Sequence, residues 1–273
     1  MRAETFRNAG DGIAAGGGLA SRFFAQGASS YSMTTGTTSA NPSAAAACWS
    51  CGAPVSGSHF CAGCGRIQPL AREADYFSFF GLPRKLTFDA SDLESRFHQL
   101  SWKLHPDNFA GASEFERELS LERSSQLNDA YRALNEPLSR VEYLLSLAGM
   151  RKEGQQKQQA PPELLEEVFE LNESLDELRG ARRSGGDPGE LASLRKRLQA
   201  ARENFREKLG EVDRSLEQLS GEWDRALDAN SAASPDADNP AQRKLMERMN
   251  EALNRRSYIR NLVESVQKEL AES

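Results

Sequence analysis

Four cysteines fall within seventeen residues of this 273-residue chain, and none occurs elsewhere. Cys48 and Cys51 are two residues apart and followed by Gly52; Cys61 and Cys64 repeat the spacing and are followed by Gly65. Two intervening residues let both thiolates of a pair reach one metal. The glycine after each pair lets the chain turn so that backbone N–H groups can point at sulfur. Two such knuckles give a closed tetrahedral shell of four sulfurs, the usual geometry of structural zinc, with no position left open for catalysis. A single iron of rubredoxin type would use similar spacing. Disulfides are the third reading, disfavoured in a reducing compartment. With four thiolates completing the shell, His59 reads as an exposed loop residue. So short a module has no core of its own, and metal binding must supply its folding free energy.

A second group is His105-Pro106-Asp107. Pro106 disfavours helical geometry at His105, so the helix before it must stop there. Asp107 offers a carboxylate to a partner's Arg or Lys. Arg96, His98 and Lys103 lie off that helix's apolar seam and would steer it toward an acidic surface. On its own the triplet is equally a helix–helix turn in which the aspartate caps the next helix.

The third group is Leu165 and Phe169, four apart and rotated from the seam of Leu164, Val168 and Leu171. Glu170, Glu173 and Glu177 flank the pair. An apolar pair rimmed by carboxylates suits a partner surface; the alternative is that it packs beneath the preceding domain.

Helices must position all of these. A brief one is expected from Asp75 to Gly81. A second runs from about Ser91 to Leu104, with Leu93, Phe97, Leu100 and Leu104 on one face and Asp89 or Ser91 as cap. A third spans about Ser113–Asn135, and a fourth Leu138–Ala148 with Gly149 as C-cap. Three longer apolar seams follow: Leu164 to Leu178, Leu191 to Leu219 and Leu245 to Leu270. Their steps of three and four mark helices packed lengthwise. Breaks rich in Gly, Pro, Asp and Ser at 183–189 and 230–240 make these an antiparallel bundle. The fold class is all-α, divided as a tail at 1–47, the cysteine module at 48–70, a helical domain at 75–150, a Lys/Gln/Glu linker at 151–160 and the bundle at 161–273.

Charge narrows the partners. Residues 1–70 carry +2, which leaves −8 for the rest of a chain whose net charge is −6. An acidic body argues against nucleic-acid phosphates as the main partner. No stretch approaches the length of a membrane span. Exposed stripes on such a bundle leave room for self-association. The Arg-containing, Ser-rich, acid-poor start resembles an organelle transit peptide.

Helix, His-Pro-Asp, then a helix carrying Asn128-Asp129-Ala130-Tyr131 resembles the J domain, and Asp75-Tyr76-Phe77-Ser78-Phe79-Phe80-Gly81-Leu82 is similar to its first helix. Trp102-Lys103-Leu104-His105-Pro106-Asp107 with Pro137-Leu138-Ser139-Arg140-Val141-Glu142-Tyr143-Leu144-Leu145 narrows the likeness to the HscB/Jac branch. In that branch a C-terminal three-helix bundle follows, and eukaryotic members often carry an N-terminal zinc module. The three parts occur here in that order over residues 48 to about 272. The resemblance implies a J-protein co-chaperone with no chemistry of its own. His105, Pro106 and Asp107 would stimulate a DnaK-type ATPase, with Arg96 and Lys103 docking the helix. Leu165, Phe169, Glu170, Glu173, Glu177 and Tyr258 would bind an IscU-type iron–sulfur scaffold. It further implies one structural zinc on Cys48, Cys51, Cys61 and Cys64, and residence in the mitochondrial matrix, with the cytosol as a second compartment. Two departures stand out: Asn108 where many J domains have Lys, and Glu166 where relatives often have an apolar residue. A J protein for general unfolded clients, a zinc-ribbon RNA binder and a dithiol redox protein are the competing readings.

Overall fold

The computed structural model describes residues 46–55, 57–69, 74–151, 160–229 and 239–272. Of the expected transit segment only residues 46 and 47 are described, and of the expected linker only 151 and 160.

Two short strands, β1 (Ala46–Ala47) and β2 (Pro54–Val55), pair antiparallel around the first cysteine knuckle, so the cysteine module begins before Cys48. Among the described residues seven α-helices follow: α1 (Tyr76–Phe79), α2 (Ala90–Leu104), α3 (Glu114–Asn135), α4 (Pro137–Leu147), α5 (Leu165–Ser184), α6 (Pro188–Ala229) and α7 (Pro240–Ala271). Asp89, the earlier of the two candidates, caps α2 by accepting from the Ser91 amide at 2.9 Å. Ser113 and Glu116 form a capping box at the start of α3, which satisfies amides that a helix N-terminus otherwise leaves bare. Among the described residues no helix is long and apolar enough to cross a membrane.

α2 and α3 form a helical hairpin, closed by a 3-10 turn at Pro106–Phe109. Its core takes Leu93 and Leu104 from α2, Leu119, Leu127, Ala130 and Leu134 from α3, and Phe77, Phe79 and Phe80 from the opening segment. Ile67, fully buried, belongs to this same core. The cysteine module therefore has an anchor beyond its thiols: it inserts a branched apolar side chain into its neighbour.

The bundle core stacks Leu164, Leu171 and Leu178 against Leu198, Phe205 and Leu216, with Met249, Ile259 and Val266 from α7. Three buried apolar residues of α5, α6 and α7 lie off the expected seams: Met246, Leu253 and Trp223. Trp223 is four residues past the last leucine of the second seam, because α6 continues for ten residues beyond Leu219 to reach the helical domain. α4 serves both cores. Tyr143 faces the hairpin, whereas Val141, Leu144 and Leu145 pack into the bundle.

A polar clamp reinforces that junction. The Asp224 carboxylate accepts from the amides of Leu86 at 2.7 Å and Thr87 at 2.8 Å, and from the Thr87 hydroxyl. Trp223 donates its indole N–H to the Arg84 carbonyl at 2.9 Å, and Lys85 pairs with Asp228 at 2.7 Å. Arg140, almost wholly buried, donates to the carbonyls of Leu134, Leu86 and Asn135 and lies 3.6 Å over the Phe88 ring. Burial lowers its pKa to about 10, which still leaves it a cation at neutral pH.

Candidate functional sites: a thiolate centre and two exposed faces

The four cysteine sulfurs lie within 4.8 Å of one another. Cys48 Sγ is 3.7 Å from Cys64 Sγ, and Cys51 Sγ is 3.7 Å from Cys61 Sγ. A tetrahedral ion with metal–sulfur bonds of about 2.3 Å needs sulfur–sulfur edges of about 3.8 Å, so these thiolates fit one metal ion. The knuckle geometry explains how. Gly52 and Gly65 both adopt φ 73°, a conformation costly for any residue with a β-carbon. The turns aim the amides of Ser50 and Gly63 at the sulfurs of Cys48 and Cys61, 3.4 and 3.3 Å away. Gln68, buried, adds a side-chain N–H to Cys48 Sγ at 3.3 Å while also donating to the carbonyl of Arg66. No motif marks Gln68, because it follows the second knuckle at a distance set by the fold.

His59 is not the exposed loop residue that its position suggested. Its Nδ1 accepts from the Arg123 guanidinium at 2.9 Å, and its Nε2 lies 2.8 Å from the Phe79 carbonyl oxygen. Arginine and a carbonyl have fixed roles, so Nε2 carries the proton and the ring is neutral. Burial, aided by the positive field of Arg123, holds its pKa below the ordinary histidine range. The module thus grips α1 and α3 through one neutral imidazole. On its other side Trp49 meets Phe115 edge-on at 5.0 Å and donates to the Ile67 carbonyl at 2.7 Å, while Arg66 pairs with Glu116 at 2.9 Å.

At the hairpin turn, His105 and Asp107 are both exposed. The Asp107 amide donates to His105 Nδ1 at 3.3 Å, which leaves the carboxylate turned to solvent with its side chain 89% exposed. Pro106 begins the 3-10 turn. Asn108, where a lysine is common, donates its side-chain amide to the Trp102 carbonyl at 2.6 Å and so caps the end of α2. The departure from the family pattern therefore has a structural use. Lys103 is exposed; Arg96 is half-buried, held by Asp92 at 3.0 Å and by the Phe80 carbonyl. Trp102, one residue from Lys103, is 80% exposed. Its position beside the turn was readable, but its exposure depended on which way the helix faced.

The third face is on α5. Leu165 is 54% and Phe169 70% exposed, so neither packs beneath the helical domain. Glu170 and Glu173 are exposed beside them, and Glu177 pairs with Arg197 at 2.9 Å. Glu166 is also exposed, a charge inside the patch. Tyr258 is half-buried against the bundle core.

Residues 160–267 match the family described as the HSCB C-terminal oligomerisation domain. The chain is 45% identical over 104 residues to the co-chaperone protein HscB homolog of Vibrio vulnificus, covering 38% of this chain and 61% of that one. It is 39% identical over 126 residues to the homolog from Azoarcus sp., covering 46% and 69%. The crystal structure of human co-chaperone protein HscB superposes with a TM-score of 0.51 at 25% identity, over 82% of this chain and 98% of the human one. The chain spans about three fifths of the length of the Vibrio relative it matches.

Proposed function

The chain belongs to the HscB co-chaperone family, and from that premise we propose that it delivers an IscU-type iron–sulfur scaffold to a DnaK-type ATPase chaperone. The observation that carries the reading is that the His105–Asp107 turn and the Leu165–Phe169 pair are both exposed on parts of the molecule that share a core through α4. In this reading the turn and Lys103 dock on the chaperone and stimulate its ATP hydrolysis, with Arg96 holding α2 against the end of α1. Leu165 and Phe169, bordered by Glu170 and Glu173, receive the scaffold, and Glu177 and Tyr258 close the edges of that face. Holding client and ATPase on one body raises the effective concentration of each for the other, which couples delivery to hydrolysis without any new chemical group.

Zinc is the ion we assign to the four thiolates, since an all-sulfur tetrahedral shell suits it and supplies a structural rather than catalytic centre. We place the protein in the mitochondrial matrix, with the cytosol as a second compartment, on the composition of its first residues. The bundle's family description names oligomerisation, so self-association belongs to the same reading.

Steady-state ATP hydrolysis by the chaperone tests it, with this protein and the scaffold added separately and together. More-than-additive stimulation, lost on Leu165→Ala with Phe169→Ala and abolished by His105→Gln, is expected. Stimulation indifferent to the scaffold would leave a general J protein, and stimulation intact in His105→Gln would discard the chaperone role. Fractionation of a tagged full-length chain tests the compartment.

A further inference from the structure

A notch of about 270 Å³ opens where the metal module meets the helical domain. One wall is the module's own loop at Ser58 and His59; the opposite wall is α2, at Arg96, Gln99 and Lys103, with Phe79 and Leu100 at the floor. No residue of its lining is acidic, in a chain where 40 of 273 residues are Asp or Glu. Arg96 is anchored to Asp92 and to the Phe80 carbonyl. No hydrogen bond or ion pair among the described residues engages the Lys103 ammonium. A free cation at the mouth of a partly apolar recess is a strong attractor for a carboxylate, because the low-polarity floor weakens screening. The recess also lies on the helix that ends at His105, so anything docked on that turn passes beside it.

We propose that the metal module completes the chaperone-docking surface, and that this notch receives a carboxylate side chain of the ATPase partner between Ser58 and Lys103. The inference rests on the co-chaperone reading above and adds to it a role for the module. The module is anchored from beneath by the His59–Arg123 and Ile67 contacts. Its loop therefore stands as a fixed wall, and the thiolate centre keeps that wall in place. Ser58 is exposed, and its hydroxyl donates to the Phe60 carbonyl at 2.6 Å. An acidic side chain at that position would repel or replace the incoming carboxylate.

The test uses the full-length, metal-loaded protein and the ATP-bound chaperone, with binding measured by titration calorimetry. Ser58→Glu should weaken binding by about fivefold, the scale of one well-placed interfacial charge, while Pro54→Glu, exposed on β2 of the same module, leaves it unchanged. Metal content and melting temperature are checked on both. If Ser58→Glu loses metal, Ser58→Lys decides instead, and it must tighten binding. Equal binding by Ser58→Glu and the wild type, or equal weakening by the two glutamates, overturns the proposal. His105→Gln in a parallel ATPase assay separates the premises. If it is inactive while Ser58→Glu is silent, only the notch is wrong; if it still stimulates, the co-chaperone reading fails first.

Discussion

Replacing Asp224 with alanine removes the acceptor at the centre of the junction between the helical domain and the bundle. Three donors point at that carboxylate: the Leu86 amide, the Thr87 amide and the Thr87 hydroxyl. Thr87 is exposed, so water can take over both of its bonds at little cost. Leu86 is buried, and among the described residues its amide has no other hydrogen-bond partner. Leaving a buried donor unsatisfied costs about 1–3 kcal/mol, and a bond to a charged acceptor is itself worth about 1.5–3. The two overlap for Leu86, and a smaller share comes from Thr87. Asp224→Ala should therefore cost about 3 kcal/mol, which for a domain pair of this size lowers Tm by roughly 6–12 °C. Asp224→Asn keeps one oxygen for the Leu86 amide and should lose less than half as much. Differential scanning calorimetry with urea titration reads both. A loss below about 1 kcal/mol in Asp224→Ala would refute the argument that the buried amide dominates. Equal losses in the two variants would show that charge, and not acceptor geometry, holds the junction.

If the four thiolates hold one ion as proposed, Cys61→Ser should lower bound metal to well below one per chain, measured by plasma mass spectrometry. It should also expose the Ile67 site, so proteolysis should begin in the module while α2 and α3 persist. Leu165→Ala with Phe169→Ala should change Tm by less than 2 °C, because both side chains already face water, yet weaken scaffold binding at least tenfold by calorimetry. Acid stability carries a signature at Glu116, whose pKa is held below the usual carboxylate range first by its hydrogen bond with Ser113 and also by Arg66. A depressed folded-state pKa contributes stability that is complete above the unfolded value of 4.5 and lost as pH falls through the folded one. Glu116→Gln should therefore be destabilised at pH 7 but converge on the wild type at low pH, in urea titrations run across that range.

The parts of this molecule legible in its sequence are those governed by local rules. Helix ends follow local signals, so the expected starts at Ser91, Ser113 and Leu138 fall within one residue of those observed. The cysteine spacing prescribed a four-sulfur centre because two residues and a glycine fix where sulfur and amide can go. The exposed pair on α5 was visible as apolar residues in excess of a seam. What periodicity could not give was contact across long separations. His59 read as a loop residue because nothing near it in sequence announces Phe79 or Arg123. Nothing near Ile67 in sequence marks it as a core residue, since the core it completes lies in another module. Trp223 and Asp224 sat beyond the last regular leucine, and only the length of α6 carries them to residues 84–87.

That long reach has a consequence for how the chain is made. Leu86 and its carboxylate partner are 138 residues apart in sequence. At about 5–20 residues per second, a ribosome releases the segment around Leu86 some 7–30 s before Asp224 is synthesised. During that interval the face of α4 carrying Leu144 and Leu145 also has no bundle to meet. The nascent helical domain must therefore wait with an apolar flank uncovered, longer than a hairpin of its size needs to fold. Nascent chains arrested before residue 220 should be sensitive to protease around residues 84–88, and chains released at full length should be protected there.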